Sequence, residues 1–334
     1  MITPSANPRQ PLWQSEMRAA ISDPEELCDL LGIDVSERPE LLHGQKPFGL
    51  RVPRGYVDRM RRHDPADPLL LQVLPQAAEL VDPPGFVADP VGDLDAIHGS
   101  GVLKKYDSRV LLITTGACAI HCRYCFRRHF PYGEEHAGQA RWTRALETLY
   151  DLADVSEVIL SGGDPLSLSD DKLAELVSGI ERHPRVHTLR VHTRQPVVLP
   201  SRVDEQLCAW LDDTRLSKVI VIHANHANEL DENVETALRR LAKTGALLLN
   251  QSVLLKAVND SVKALVELSQ RLFECGVLPY YLHQLDPVAG AAHFEVPDAE
   301  ALMLHEALRA SLPGYLVPRL VREVAGAPSK RPLR

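Results

Sequence analysis

Three cysteines fall within eight residues, in the segment Cys118-Ala-Ile-His-Cys122-Arg-Tyr-Cys125. Spaced C-x₃-C-x₂-C, three thiolates can hold three of the four irons of a [4Fe–4S] cube. The small residues Gly116, Ala117 and Ala119 leave the loop free to wrap it. An electron-transfer ferredoxin site carries four cysteines. Three leave one iron open to an amino and a carboxylate group, and S-adenosylmethionine carries both. An electron passed from the cluster to the sulfonium breaks a C–S bond and leaves a 5′-deoxyadenosyl radical, chemistry that belongs to the cofactors while the protein holds them. Two other readings stay open. One is zinc, with His121 or His129 as a fourth ligand, although the second C-x₂-C knuckle of a structural zinc site is missing. The other is that the cysteines are buried core residues. Cys28, Cys208 and Cys275 are scattered, so the six cysteines do not form a disulfide framework.

These residues need elements to position them. From about residue 105, short apolar runs alternate with amphipathic helical stretches. The expected strands are 109–115, 156–162, 187–193, 217–224, 246–255 and 277–284. The expected helices are roughly 138–154, 170–182, 202–213, 231–244, 259–275 and 298–310. Six βα units in a row predict a parallel sheet covered by helices, curled as three-quarters of an eight-fold barrel. The fold class is α/β, a partial (βα)6 TIM-like barrel with an N-terminal, mainly helical extension. The expected divisions are 1–104 for the extension, 105–320 for the barrel and 321–334 for a C-terminal segment. Helical stretches in the extension are expected at EMRAAISDPEELCDLLGI and RGYVDRMRR. Polar residues gather at the C-terminal strand ends: the cysteines, Gly162-Gly163-Asp164, His192-Thr193-Arg194, His223 and Asn225, Asn250 and Gln251, and His283 and Asp286. That is the catalytic face of a barrel-like α/β protein.

Composition sets the outer limits. With 334 residues, 45% hydrophobic and 25% charged, the chain is an ordinary globular protein with room for a large core. A formal net charge of -8 argues against broad binding to nucleic acid or to an anionic membrane. It leaves room for a local basic pocket, and Arg127, Arg128 and His129 sit together after the cysteines. The start MITPSANPRQPLWQSEM has no apolar secretory segment, and no run reaches membrane-span length, so a cytoplasmic location is expected.

The motifs resemble a known family. C-x₃-C-x₂-C after a first barrel strand is the signature of radical S-adenosylmethionine enzymes. Within them the chain resembles the lysine 2,3-aminomutases through YDSRVLLITTGACAIHCRYCFRR, LSGGDPL, HTRQPVVLP, NQSVLLKAVND, YYLHQLD and GYLVPRLVREVAGAPSK. These stretches run in order from about 105 to 330, and the ending APSKRPL resembles the short subgroup that makes β-lysine for modifying elongation factor P. The resemblance implies conversion of L-α-lysine to β-lysine, with a [4Fe–4S] cluster, S-adenosylmethionine and pyridoxal 5′-phosphate as cofactors.

It also implies residue roles. Cys118, Cys122 and Cys125 would hold the cluster, and Lys330, approached by Gly326, Pro328 and Ser329, would carry the pyridoxal. Lys105, Tyr106 and Arg109 would meet its phosphate, and Asn225 its ring or phosphate. Ser161, Gly162, Gly163 and Asp164 would grip S-adenosylmethionine, with His192, Arg194 and Gln251 as lesser candidates. Arg127 would hold the substrate carboxylate by a bidentate fork, and Asp286 and Glu323 its distal ammonium. Glu323 stands where longer members carry the shorter Asp. The implied partners are free lysine, a reducing electron donor and, functionally, an elongation factor P lysyl ligase; nucleic acid and membrane are not among them, and oligomer formation is left open. The alternatives are an aminomutase of other lysine or arginine metabolism and, from another class, a zinc-binding scaffold protein.

Overall fold

Among the described residues of the computed structural model, a ten-stranded sheet runs in strict sequence order. The structure describes residues 11–34, 48–81, 83–99, 101–132 and 139–334. Residues 1–10, where no secretory segment is read, and residue 138, at the expected start of a helix, lie outside them.

The strands are β1 (Ile97–Gly99), β2 (Val102–Tyr106), β3 (Arg109–Thr115), β4 (Glu157–Gly162), β5 (Thr188–Thr193), β6 (Ser217–Ile222), β7 (Leu247–Val253), β8 (Leu278–His283), β9 (Arg319–Arg322) and β10 (Arg331–Pro332). β3 to β8 are the six expected parallel strands, each hydrogen-bonded to the next. They form because apolar runs such as Val158-Ile159-Leu160 and Val219-Ile220-Val221-Ile222 suit strands covered on both faces. The structure adds β9, a seventh parallel strand on β8, and flanks the parallel set with antiparallel pairs, β1 and β2 before it and β10 after it.

Helices Gln139–Asp151, Asp170–Glu181, Glu205–Asp213, Glu232–Lys243, Val262–Glu274 and Asp298–Ser311 fall where periodicity places them. Their starts are chemically specified. Asp204, Asp231 and Ser261 each accept a hydrogen bond from the backbone N–H three residues on. Two of them end at glycines in the left-handed region, Gly245 (φ +74°) and Gly276 (φ +78°). These helices pack their apolar faces on the sheet around Leu149, Leu173, Leu207, Leu238 and Leu272. None of the described helices is long and apolar enough to cross a membrane.

Curvature of the sheet brings its two ends together. The hydroxyl of Tyr106, at the end of β2, donates to the carboxylate of Glu323, just past β9. The strands thus enclose a space whose walls are their own inner faces.

The N-terminal extension is helical in short pieces. The helical stretch expected over 16–33 falls in two short helices: Ile21 forms an antiparallel bridge with Val52, and Asp23 caps the helix that begins at Pro24. Trp13, Leu27, Leu31, Tyr56, Leu69 and Leu70 form a second apolar cluster that includes Ala119 and Ile120 of the cysteine loop. Backbone bonds tie the same loop down, from His121 N–H to Arg51 C=O (2.9 Å) and from Arg123 N–H to Gln72 C=O (2.8 Å). The extension therefore buttresses the loop that carries the cysteines.

Candidate active site

The enclosed space is a cavity of about 480 Å³, lined in part by residues at the C-terminal ends of the strands, such as Gly162, Thr193 and His283. Cys118, Cys122 and Cys125 line it, and so does Lys330, more than two hundred residues further along the chain. All three thiols are free of disulfides. Burial pushes the Cys118 thiol well up and that of Cys125 to about 11. Thiols in this state must lose protons to bind iron, so loading releases protons. The histidines that a zinc site would recruit are engaged with backbone: His121 Nδ1 with Gly49 C=O (2.8 Å) and His129 Nε2 with Ala289 C=O (3.1 Å). Among the described residues no three His, Cys, Asp or Glu side chains close around a point as they would around one ion.

The loop is held from behind by buried charge. Arg123, between the second and third cysteines, is fully buried and donates through Nε to Glu79 (2.7 Å). Arg128 donates to the same carboxylate (2.7 Å). The basic run after the cysteines therefore divides: Arg128 is structural, and Arg127 faces the cavity.

The glycines of Ser161-Gly162-Gly163-Asp164 make a close contact that the sequence does not show. A Cβ on Gly163 would lie 2.5 Å from Ala117 O and 2.7 Å from Gly116 C. Gly162 has φ +123°, and a Cβ there would lie 2.6 Å from Thr115 O. The backbone they admit is the cysteine loop itself, bonded from Gly163 N–H to Thr115 C=O (2.7 Å) and from Asp164 N–H to Ala117 C=O (2.8 Å). Asp164 is also a joint. Its buried carboxylate accepts from Thr193 Oγ1 (2.8 Å) and from the N–H groups of Arg194 (2.7 Å), Gln195 (3.2 Å) and Leu166 (3.0 Å). All four residues of the motif still line the cavity. Gly163→Ala is expected to cost about 1–3 kcal/mol of stability through overpacking against main chain. It should also lower iron retained on anaerobic reconstitution, which thermal melts and iron analysis would check.

Arg127 is fixed and half committed. Its Nε donates to Asp93 (2.6 Å) and its Nη1 to Ser161 Oγ (3.0 Å), and neither bond uses Nη2. Asp93 also pairs with Lys105 (2.6 Å), whose Nζ donates to Val91 C=O (2.7 Å). Burial acts to raise the Asp93 carboxyl, but Arg127 and Lys105 outweigh it and hold the group below the usual carboxylate range. Asp93 was not legible in the sequence: it stands in a Pro- and Asp-rich stretch with no periodic neighbour. Arg109 lies against the ring of Tyr106, its guanidinium carbon 4.8 Å from the centroid, with its buried Nε unpartnered. Lys105 and Arg109 thus bring two cations to one wall, as a phosphate needs.

Beside this wall, Lys330 donates to Glu323, which also accepts from Tyr106. Burial acts to raise Glu323, but Lys330 and Tyr106 together hold it low. Asp286 is half-buried, with its Oδ1 shut from solvent and unpartnered, and desolvation lifts its carboxyl to about 7. Three imidazoles line the same cavity, and burial keeps all of them neutral: His192 and His283 fall well below the usual value and His223 falls to about 3. The Lys330 charge adds to the depression of His192 and His283, so these two lie on the lysine side. Gln251 lines the cavity from β7.

Two expected ligand residues already have protein partners. Asn225 is fully buried outside the cavity lining. Its amide donates to Gln72 Oε1 (3.0 Å) and accepts from Val253 N–H (2.8 Å), so it joins barrel to extension. Arg194 lines the cavity, but its Nη1 donates to Cys122 Sγ (2.7 Å) and its Nη2 to Glu229, Gln72 and Tyr56. A bound nucleotide would have to compete with buried partners for either nitrogen.

Residues 97–193 match the family model of a 4Fe-4S single cluster domain. Over 324 residues the chain is 46% identical to the L-lysine 2,3-aminomutase of Escherichia coli (strain K12), covering 96% of this chain and 94% of that one. The chain belongs to the lysine 2,3-aminomutase family. It is also 44% identical to the L-lysine 2,3-aminomutase of Haemophilus influenzae over 318 residues, 95% of this chain and 94% of that one. The L-lysine 2,3-aminomutase of Clostridium subterminale is 32% identical over 96% of this chain, which spans 77% of that longer protein. The cavity of this aminomutase-family chain offers what the cofactors need. Three free thiols on one braced loop suit a cluster with an open iron, and the small-residue wall beside them suits S-adenosylmethionine.

Proposed function

We propose that this chain converts L-α-lysine to β-lysine by moving the amino group to the adjacent carbon, with pyridoxal 5′-phosphate on Lys330 as the third cofactor. The observation that carries this reading is the carboxylate pair at the lysine end of the cavity. Glu323 already holds a lysyl ammonium, that of Lys330, and Asp286 presents an unpartnered buried oxygen. A buried acceptor without a partner is costly, and a cation is the group that relieves it.

The cluster and S-adenosylmethionine supply a carbon radical that can take a substrate hydrogen, and pyridoxal supplies the π system across which nitrogen migrates. The side chains do the rest. Arg127, oriented by Asp93 and Ser161, offers Nη2 to the substrate carboxylate. Glu323 and Asp286 hold the distal ammonium once Lys330 is engaged elsewhere. Lys105 and Arg109 supply positive charge for a phosphate. The neutral imidazoles of His192, His223 and His283 add no cation that would compete with the substrate. Leu111, Ile159 and Val253 line the remainder and keep water from the reacting carbons.

The test is anaerobic reconstitution with iron and sulfide, then incubation with S-adenosylmethionine, pyridoxal phosphate, a strong reductant and isotopically labelled L-lysine. Labelled β-lysine by mass spectrometry supports the reading. Release of 5′-deoxyadenosine without β-lysine would move the substrate to another amino acid, with arginine tried first.

The pH profile checks the ammonium site separately. A protonated Asp286 cannot attract an ammonium. Because desolvation lifts its carboxyl to about 7, kcat/KM for lysine should rise as pH increases through about 7. Asp286→Asn should flatten that limb and raise KM.

We also propose that the β-lysine serves modification of elongation factor P, through a separate ligase. The ending APSKRPL and the near full-length coverage of the shorter relatives support this. Supplying β-lysine to cells lacking this chain should restore the modified factor; failure to do so would separate the chain from that pathway.

A further inference from the structure

The contact between Arg194 and Cys122 is held by several buried partners. Arg194 follows β5, and its guanidinium is buried between the second cysteine and a carboxylate. Nη1 donates to Cys122 Sγ at 2.7 Å, and Nη2 donates to Glu229 at 2.8 Å. The N-terminal extension supplies two more acceptors for Nη2, Gln72 Oε1 (2.8 Å) and Tyr56 Oη (3.2 Å). The rings of Tyr56 and Tyr124 flank the guanidinium carbon, with centroids at 5.6 and 5.7 Å. Glu229 is fully buried and fixed in turn by the N–H groups of Asn225 (2.8 Å) and His226 (3.1 Å) and by the Gln72 amide (3.2 Å).

We infer that Arg194 and Glu229 form a fixed dipole that sets the reduction potential of the cluster through Cys122. The inference rests on the reading that the three cysteines carry a [4Fe–4S] cluster. Hydrogen bonds to the sulfurs and nearby net charge are the protein's main means of moving such a potential. A guanidinium N–H on a ligand sulfur stabilises the electron gained on reduction and moves the potential up. The carboxylate behind it opposes that effect and moves the potential down. Arg194 reaches the cluster site through Cys122 and Glu229 reaches it through Arg194, so both are positioning residues that act on the cluster through one ligand. Their placement also gives the extension a part in the chemistry, since Gln72 and Tyr56 hold the guanidinium at its angle.

The test uses the full chain, reconstituted anaerobically with iron and sulfide. Iron and sulfide content are measured first, and the cluster is then titrated against a series of redox buffers and followed by electron paramagnetic resonance. Arg194→Gln should make one-electron reduction at least about tenfold less favourable, a shift of about 59 mV to lower potential. Glu229→Gln removes the charge and one of the two accepting oxygens while Gln72 and Tyr56 still accept from Nη2, and it should shift the potential the opposite way. Opposite signs are the signature, because general damage to the loop would not reverse direction between the two variants. Unchanged potentials, or shifts of the same sign, would overturn the inference. So would loss of iron in both variants while the wild-type chain retains it, since the pair would then serve assembly only. A wild-type chain that assembles no cluster would overturn the underlying reading itself, and iron analysis separates that failure from the others.

Discussion

Replacing Lys330 with alanine is expected to lower conversion of L-lysine to β-lysine by about 10³-fold or more. Iron and sulfide content should stay at the wild-type level. The argument begins with position. β9 and β10 form a short antiparallel pair, and the turn between them delivers Lys330 to the cavity wall just before Arg331. There its ammonium meets Glu323 and lies 5.9 Å from the centroid of the Tyr281 ring. An ion pair alone would explain this placement, so charge and amine chemistry must be separated. Lys330→Arg does so. It keeps the positive charge, but a guanidinium stays protonated and cannot serve as a nucleophile. Both variants should therefore be inactive, and both should lack a borohydride-reducible pyridoxal band that the wild-type chain carries on the Lys330 peptide. Normal turnover in Lys330→Arg would reduce Lys330 to a structural partner of Glu323 and remove pyridoxal from the reading.

How far the sequence carried this site depends on the distance over which each contact acts. The six parallel strands and their helices were legible because apolar periodicity is a local signal. The cysteine loop and the GGD turn were legible as motifs for the same reason. What the glycines do was not: Gly163 is dictated by the main chain of Gly116 and Ala117, which the sheet brings beside it from another strand. β9 was not legible either, since Arg319-Leu-Val-Arg322 is four residues long and lacks a clear alternation. Asp93 and Glu79 were invisible because each takes its meaning from an arginine in the cysteine loop. Asn225 and Arg194 show the converse. Polar residues at strand ends read as ligand contacts, but some are the hydrogen-bonded joints that hold loops in register.

The same distinction bears on the cysteines, and Cys122→Ala should show it most sharply. The variant should lose most of its iron on reconstitution, release no 5′-deoxyadenosine and make no β-lysine, because two thiolates cannot hold three corners of a cube. It should nevertheless fold. Removing Sγ leaves Arg194 Nη1 without its acceptor, a cost of about 1–3 kcal/mol against a total stability of about 5–15 kcal/mol, while Nη2 keeps its contacts to Glu229, Gln72 and Tyr56. Cys28 and Cys275 provide the contrast. Both are fully buried in apolar clusters and neither lines the cavity, so their alanine variants should lose packing energy and keep iron. Circular dichroism, melting temperature and iron content on the three variants would sort ligand from core cysteines without any assay of turnover. Full iron in Cys122→Ala would mean that the loop does not hold the cluster through this residue. The braced geometry of Arg123, Arg128 and Arg194 around it would then need another explanation.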